Sequence, residues 1–299
     1  MRKTQIQLSD HFTYQKLLRF VLPSIVMMVF TSIYGVVDGL FVSNFAGKTP
    51  FAAINLVMPF IMVLGGIGFM IGTGGTALVS KTLGEGRQEE ANRYFSMLII
   101  MTVILGFFLT TIGIVFARRV SILLGATDVM LDDCVIYLRT VLLFISPFML
   151  QNVFQSFLVT AQKPHAGLIV TIIAGLTNMS LDALFIVVFR WGVAGAALAT
   201  GISQCIGGLL PLILFLGKND SLLHLVPTRL EWRPFFLSCT NGMSELMGNI
   251  SSSIVSMLYN FQLLNYAGEN GIAAYGVLMY VQFIFIAVFF GYTIGVGPV

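Results

Sequence analysis

The sequence predicts an all-α protein that crosses a membrane many times. Charge is scarce, the apolar runs are long, and those runs do not alternate. Only 10% of the 299 residues are Asp, Glu, Lys or Arg, and 57% are hydrophobic. An ordinary soluble domain carries about 25% charged residues. So few charges cannot cover a water-facing surface, which excludes a soluble globular domain, and disorder needs the opposite composition. The 30 Gly, 26 Phe and 15 Met fit a polytopic helical membrane protein. A net charge of +3 reads as an orientation signal and leaves no nucleic-acid footprint.

A helix needs about 20 apolar residues to cross the hydrocarbon core. Runs without Asp, Glu, Lys or Arg cover 20–37, 49–80, 94–117, 140–162, 192–217 and 270–299. Two more cover 164–189, interrupted only by Asp182, and 234–268, interrupted only by Glu245. Barrel strands are about 10 residues long with strict alternation, so eight helical spans are expected. The first 19 residues are polar and basic, and the first span is expected to act as its own insertion signal. Eleven of the 16 Lys and Arg fall on the N-terminal side, among them Arg2, Lys3, Lys81, Arg87, Arg93, Lys218, Arg229 and Arg233. The other side holds Lys48, Arg118, Arg119, Arg139 and Arg190. The excess predicts a cytoplasmic N-terminus. Trp191 and Trp232 fall at predicted membrane boundaries, where indole is favoured.

The chain also matches itself. At an offset of 221 residues, Ala52, Ala53, Met58 and Gly74 fall on Ala273, Ala274, Met279 and Gly295. Spans seven and eight then copy spans one and two. Six spans separate the copies, so both point the same way, as a parallel repeat does. A six-plus-six transporter built on that offset would need about 440 residues. The expectation is a truncated twelve-helix transporter: an amino-terminal lobe of spans one to six over 1–217, a cytoplasmic inter-lobe linker over 218–234, and a partial carboxy-terminal lobe of spans seven and eight over 235–299.

Ionisable residues inside spans are costly and read first as functional. Asp38, Asp182 and Glu245 qualify. Asn178 lies one turn from Asp182 on the same face. Asp38, Asn178, Asp182 and Thr200 fall in one layer of the outer half at about 1.5 Å per residue. Two carboxylates, an amide and a hydroxyl are hard oxygen ligands for a small cation, and two nearby carboxylates also suit proton binding. The plainer reading has each Asp cap or pair with a polar neighbour, although no Lys or Arg lies at matching depth. Glu245 lies about 10 residues in from the cytoplasmic end of span seven, does not easily join that layer, and either lines a second cavity or snorkels towards the headgroups. Asn249, Asn152 and Gln155 are candidate cavity-lining residues, with helix–helix hydrogen bonding as their alternative. Cys134, Cys205 and Cys239 are far apart in apolar surroundings and suggest neither a disulfide nor a metal site.

Several motifs in combination resemble the MATE (multidrug and toxic compound extrusion) family. The first is Tyr34-Gly35-Val36-Val37-Asp38-Gly39-Leu40-Phe41-Val42-Ser43. The second is Gly74-Gly75-Thr76-Ala77-Leu78-Val79-Ser80 followed by Leu83-Gly84-Glu85-Gly86. The third joins Asn178-Met179-Ser180-Leu181-Asp182 to Gly192-Val193-Ala194-Gly195 and Thr200. The likeness runs along the whole chain and is nearest to the bacterial branch of MepA-like exporters. It implies twelve helices in two lobes with a drug cavity between them, and Na⁺ or H⁺ antiport. Asp38, Asn178, Asp182 and Thr200 match the amino-lobe cation site; Glu245 stands near a carboxy-lobe acidic position without a clear match.

The expected function is therefore cation-coupled export of cationic or amphipathic drugs by a multi-pass protein of the bacterial cytoplasmic membrane. No cofactor is expected beyond Na⁺ or H⁺ as coupling ion, and Na⁺ at that site is the only metal expected. Drugs and membrane lipid are the expected partners of a monomer, with no nucleic acid. A lipid-linked oligosaccharide flippase of the same superfamily is a second transporter reading, but it would want a cationic cavity for pyrophosphate. An intramembrane aspartyl protease would want Tyr-Asp and Gly-x-Gly-Asp pairs, which do not occur. An enzyme is not expected. A non-transporting truncated fragment is the reading that the length favours.

Overall fold

The computed structural model describes residues 13–217 and 221–297. Arg2, Lys3 and Lys218, used above for orientation, lie outside those residues, as do the first three residues of the expected linker. Every regular element among the described residues is helical. In order these are α1 (Tyr14–Phe41), a π-helical turn (Val42–Ala46), α2 (Lys48–Gly84), α3 (Gln88–Leu123), α4 (Leu131–Leu143) and α5 (Ile145–Thr160). There follow α6 (Pro164–Asp182), a second π-helical turn (Ala183–Val188), α7 (Gly192–Leu216), α8 (Trp232–Asn241) and α9 (Met243–Val296).

Six of these helical stretches are long and apolar enough to cross a membrane, and α4 with α5 makes a seventh, bent by 57°. The eighth is hidden inside α9. At Gly268 the backbone takes φ 61° and ψ −153°, outside the helical region. Tyr259 and Tyr275 flank that point and stack with ring centroids 5.3 Å apart. In a straight helix, at 1.5 Å per residue, they would be about 24 Å apart. The stretches 243–267 and 269–296 are therefore two antiparallel arms of a hairpin, which agrees with the boundary expected between spans seven and eight.

Three span boundaries differ from expectation. The first span does not stop at Asp38; α1 carries it to Phe41, because one buried acid does not interrupt backbone hydrogen bonding. The fourth begins at Leu131 and breaks at Phe144, which has φ −105° and ψ 12°. Pro147 has no N–H for the Leu143 carbonyl one turn back, and the neighbouring Leu142 carbonyl accepts from Thr110 Oγ1 of α3 at 2.8 Å. The seventh breaks at Gly242 between α8 and α9. A side chain at Gly242 would overlap the Met70 carbonyl of α2, so the break and the missing Cβ together let the two backbones touch.

An aromatic cluster sits within the mainly aliphatic core of the first six spans. Phe95 of α3 packs edge-on to Phe157 and Phe215, each with centroids 4.9 Å away. The described part of the linker lies along α3: the His224 N–H donates to Asn92 Oδ1 at 3.0 Å, and the Val226 N–H to Ser96 Oγ at 2.8 Å.

Contacts of α1 and α2 with α8 and α9 repeat at the sequence offset. Gly74 lies against Gly242, and Gly295 against Val21. Shifting 74 up and 242 down by 221 gives 295 and 21, so these are the same contact seen twice. Gly276 sits on Asn55, its own equivalent at that offset, with Asn55 Cγ 2.6 Å from where a Cβ would lie. A residue that touches its own counterpart lies on a two-fold axis.

Candidate functional site

Asp38 and Asp182 come together between α1 and α6. They are 7% and 0% exposed, and their carboxyl groups lie close enough to interact with each other. Asp38 Oδ1 and both Asp182 oxygens have no hydrogen-bond donor. Asn178 Oδ1 and Thr200 Oγ1 are likewise buried and unpartnered. Two ionised carboxylates offer only acceptors. The pair is tolerable in an apolar interior only when a proton or a cation sits between its oxygens. An Asp pair, an amide oxygen and a hydroxyl are the donor set that a hard cation such as Na⁺ takes.

Local backbone geometry opens this space. A π-helical turn starts directly after Asp182 and another four residues after Asp38, and the two turns touch. Their bonds reach one residue further than in an α-helix: Gly47 N–H to the Val42 carbonyl at 3.1 Å, and Phe189 N–H to the Leu184 carbonyl at 2.9 Å. Such widened turns inside helices recur at functional sites. Tyr137 of α4 closes the pair from the side, 1% exposed and near Asp38, Asp182 and Thr200.

A larger cavity of about 100 Å³ lies between α2 and the two arms of α9. Asn55, Met58, Met62, Asn249, Asn260 and Tyr280 are among its walls. It is mostly apolar with a few amides, as small-molecule sites are. Asn260 Nδ2 donates to the Asn55 carbonyl at 3.3 Å, and its Oδ1 is unpartnered. Tyr280 joins this cavity to the acid pair. Its ring lies over Gly39, the residue after Asp38, with Cε2 2.7 Å from where a Cβ would stand.

The MatE family profile matches residues 23–184, more than half of the chain. The chain belongs to the MatE family. It is 27% identical over 268 residues to the multidrug export protein MepA of Staphylococcus haemolyticus (strain JCSC1435), covering 88% of this chain and 58% of that protein. It is 24% identical over 267 residues to MepA of Staphylococcus aureus (strain MRSA252), with the same coverage. The chain thus spans less than two thirds of the length of these curated relatives. Among solved structures, a ligand complex of the MATE multidrug transporter DinF-BH superposes with a TM-score of 0.83 at 26% identity, over 97% of this chain and 69% of that one. An outward-facing MATE transporter of the MOP superfamily gives 0.86 at 21% identity, over 98% and 65%; that likeness concerns the fold. The protein is a multi-pass membrane protein of a multidrug efflux transporter family.

Within this MatE chain the other sequence candidates divide. Asn249 lines the larger cavity, and its Nδ2 donates to the Glu245 carbonyl at 2.8 Å. Glu245 is half-buried and stands outside the walls of that cavity. Gln155 lines a second, smaller pit. Asn152 lines neither: its Nδ2 donates across to the Gly65 carbonyl of α2 at 3.1 Å, so it serves helix packing. Sequence reasoning missed Tyr34, Tyr137, Gln151, Gln204 and Tyr280. Their signal was present but faint: Tyr34 stands one turn before Asp38, and Gln204 one turn after Thr200, on faces already marked by polar residues.

Proposed function

We propose that the protein is a cation-coupled antiporter for cationic or amphipathic drugs, with the Asp38–Asp182 pair as coupling site and Na⁺ or H⁺ as coupling ion. The observation that carries this is the buried acid pair whose oxygens lack donors. Membership of a family whose curated relatives are named multidrug export proteins supports it, and so does the apolar, amide-bearing larger cavity. In this reading α1 to α7 form the amino-terminal lobe, and α8 with α9 belongs to a second lobe related by the internal two-fold. The N-terminus faces the cytoplasm of a bacterial cell membrane.

Coupling follows from linkage. A cation at the pair and a drug in the larger cavity favour different arrangements of α1, so each changes the other's affinity by the same factor. The test is binding of a fluorescent lipophilic cation to the purified protein in nanodiscs, titrated against Na⁺ and pH. Wild type should show an affinity that falls as the coupling ion rises. Asp38→Asn should bind the dye with that dependence lost, because an amide cannot exchange its charge. An unchanged ion dependence in Asp38→Asn removes the pair from the mechanism. Dye efflux from cells that express the protein then separates an exporter from a chain that only binds.

A further inference from the structure

A second, smaller pit with polar groups in its wall lies away from the larger cavity. It is a pit between α5, α6 and α7, walled in part by Gln151, Gln155, Thr171 and Gly207. Its free volume is about 10 Å³, one water's worth. Gln155 is 6% exposed, and its Oε1 has no partner. The pit lies in the half of the bundle where α5 stops at Thr160 and α6 starts at Pro164, whereas Asp182 is at the far end of α6.

Stripes of polar residues and glycine run between the two, with the Phe30 and Tyr34 rings against Gly175. On α6 the positions Thr171, Gly175, Asn178 and Asp182 follow spacings of four, three and four, a single helix face. On α7 the positions Thr200, Gln204 and Gly207 continue the same rhythm. Gln151 bridges the elements. Its carboxamide lies against Gly207, with Cδ 2.6 Å from where a Cβ would be, and it is close to the Tyr34 hydroxyl of α1. From Thr171 to Asp182 the stripe is about 16 Å long at 1.5 Å per residue. Buried oxygens without a donor recur along it: Gln155 Oε1, Gln204 Oε1, Asn178 Oδ1, Thr200 Oγ1 and the Asp182 carboxyl. A packed core does not leave so many acceptors unsatisfied without a ligand. Acceptors in file suit water and a small cation, and repel an anion.

We infer that the pit holds a water, and that the stripe is a single-file hydrated route by which a small cation or proton reaches the Asp38–Asp182 pair from the α5–α6 end of the lobe. The route is separate from the larger cavity, so ion and drug need not share a path. The role as an ion route rests on the coupling-site reading; the hydration does not.

Two measurements keep these apart. In a background lacking Cys134, Cys205 and Cys239, Gln155→Cys, Thr171→Cys and Gln204→Cys are exposed to Ag⁺, a small cation that travels with water. Phe157→Cys, in the aromatic core, is the control. The route predicts that the three polar positions react at least about tenfold faster than the control, since a thiol sealed in a packed core reacts only through rare local opening. Rates equal to the control at all three positions overturn the proposal, whatever the acid pair does. Gln204→Leu then tests the ion role by stopped-flow dye binding after a jump in Na⁺ or pH. Approach to the final dye affinity should be slowed severalfold relative to wild type. An unchanged rate in Gln204→Leu with fast Ag⁺ access shows a hydrated dead end and overturns the ion route. Loss of ion dependence in wild type would overturn the coupling reading alone.

Discussion

Two glycines show how single residues set the approach of the helices. A methyl group at Gly74 would overlap the Ser238 carbonyl of α8, and neither backbone can yield without moving a helix. Gly74→Ala should therefore destabilise the protein by about 1–3 kcal/mol, the usual cost of overpacking. Gly35→Ala is the matched control. Nothing lies within 4 Å of its added Cβ, and Ala is the better helix former by up to about 1 kcal/mol. Thermal unfolding in detergent should show a lower Tm for the first and an equal or higher Tm for the second. At the acid site the corresponding residue is Asp182, which is fully buried. Asp38 and Asp182 were legible in the sequence because an acid in an apolar run is expensive wherever the chain folds. Tyr137 and Gln151 were not, because a Tyr or Gln in a span is cheap enough to have no role, and only the tertiary structure puts Tyr137 beside the acids and Gln151 beside Tyr34.

Elements were legible where hydropathy alone decides them and illegible where packing does. All eight apolar runs became helical spans, since a backbone in hydrocarbon has to satisfy its own hydrogen bonds. The bend at Phe144 has a partner far away in sequence, Thr110 at the Leu142 carbonyl, and no local pattern announces it or the two π-helical turns. The hairpin inside α9 is intermediate. The charged Glu269 and the Gly268 before it marked the break, and the structure adds the reason. A φ of 61° with a ψ of −153° is a region that only glycine occupies without strain. Gly268→Ala should cost on the order of 1–3 kcal/mol, read as a lower Tm, and should loosen the Tyr259–Tyr275 stack. Retained Tm in Gly268→Ala would mean that the turn has a second, side-chain-tolerant conformation. Glu269 ties the tip of this hairpin to the rest: it accepts from Thr49 Oγ1 at 2.9 Å and from Thr127 Oγ1 at 3.1 Å.

At the scale of the whole molecule, orientation and coupling are the properties to test. The Lys and Arg excess predicts a cytoplasmic loop between α2 and α3 and an external loop between α3 and α4. With the native cysteines replaced, an impermeant thiol reagent on intact cells should label Asp132→Cys and spare Glu89→Cys; the reverse pattern inverts the topology. The proposed coupling would have a physical path in the structure. Asp38 and the larger cavity are joined through Gly39, over which the Tyr280 ring lies, and Tyr280 is itself a wall of that cavity. The contact can transmit because a packed ring on a bare backbone has little freedom to absorb a shift. If a cation at the acid pair moves α1, Tyr280 has to move with it, and the cavity changes shape. Gly39→Ala would push the ring away while leaving Asp38 and Asp182 intact. It should retain dye binding within severalfold of wild type and lose most of the dependence of that binding on Na⁺ or pH. Tyr280→Ala should lose the dependence in the same way, and the Gly39→Ala, Tyr280→Ala double variant should be no worse than either alone, because residues acting through one contact are not additive. Independent, additive losses would place the coupling path elsewhere in the contact between α1 and α9.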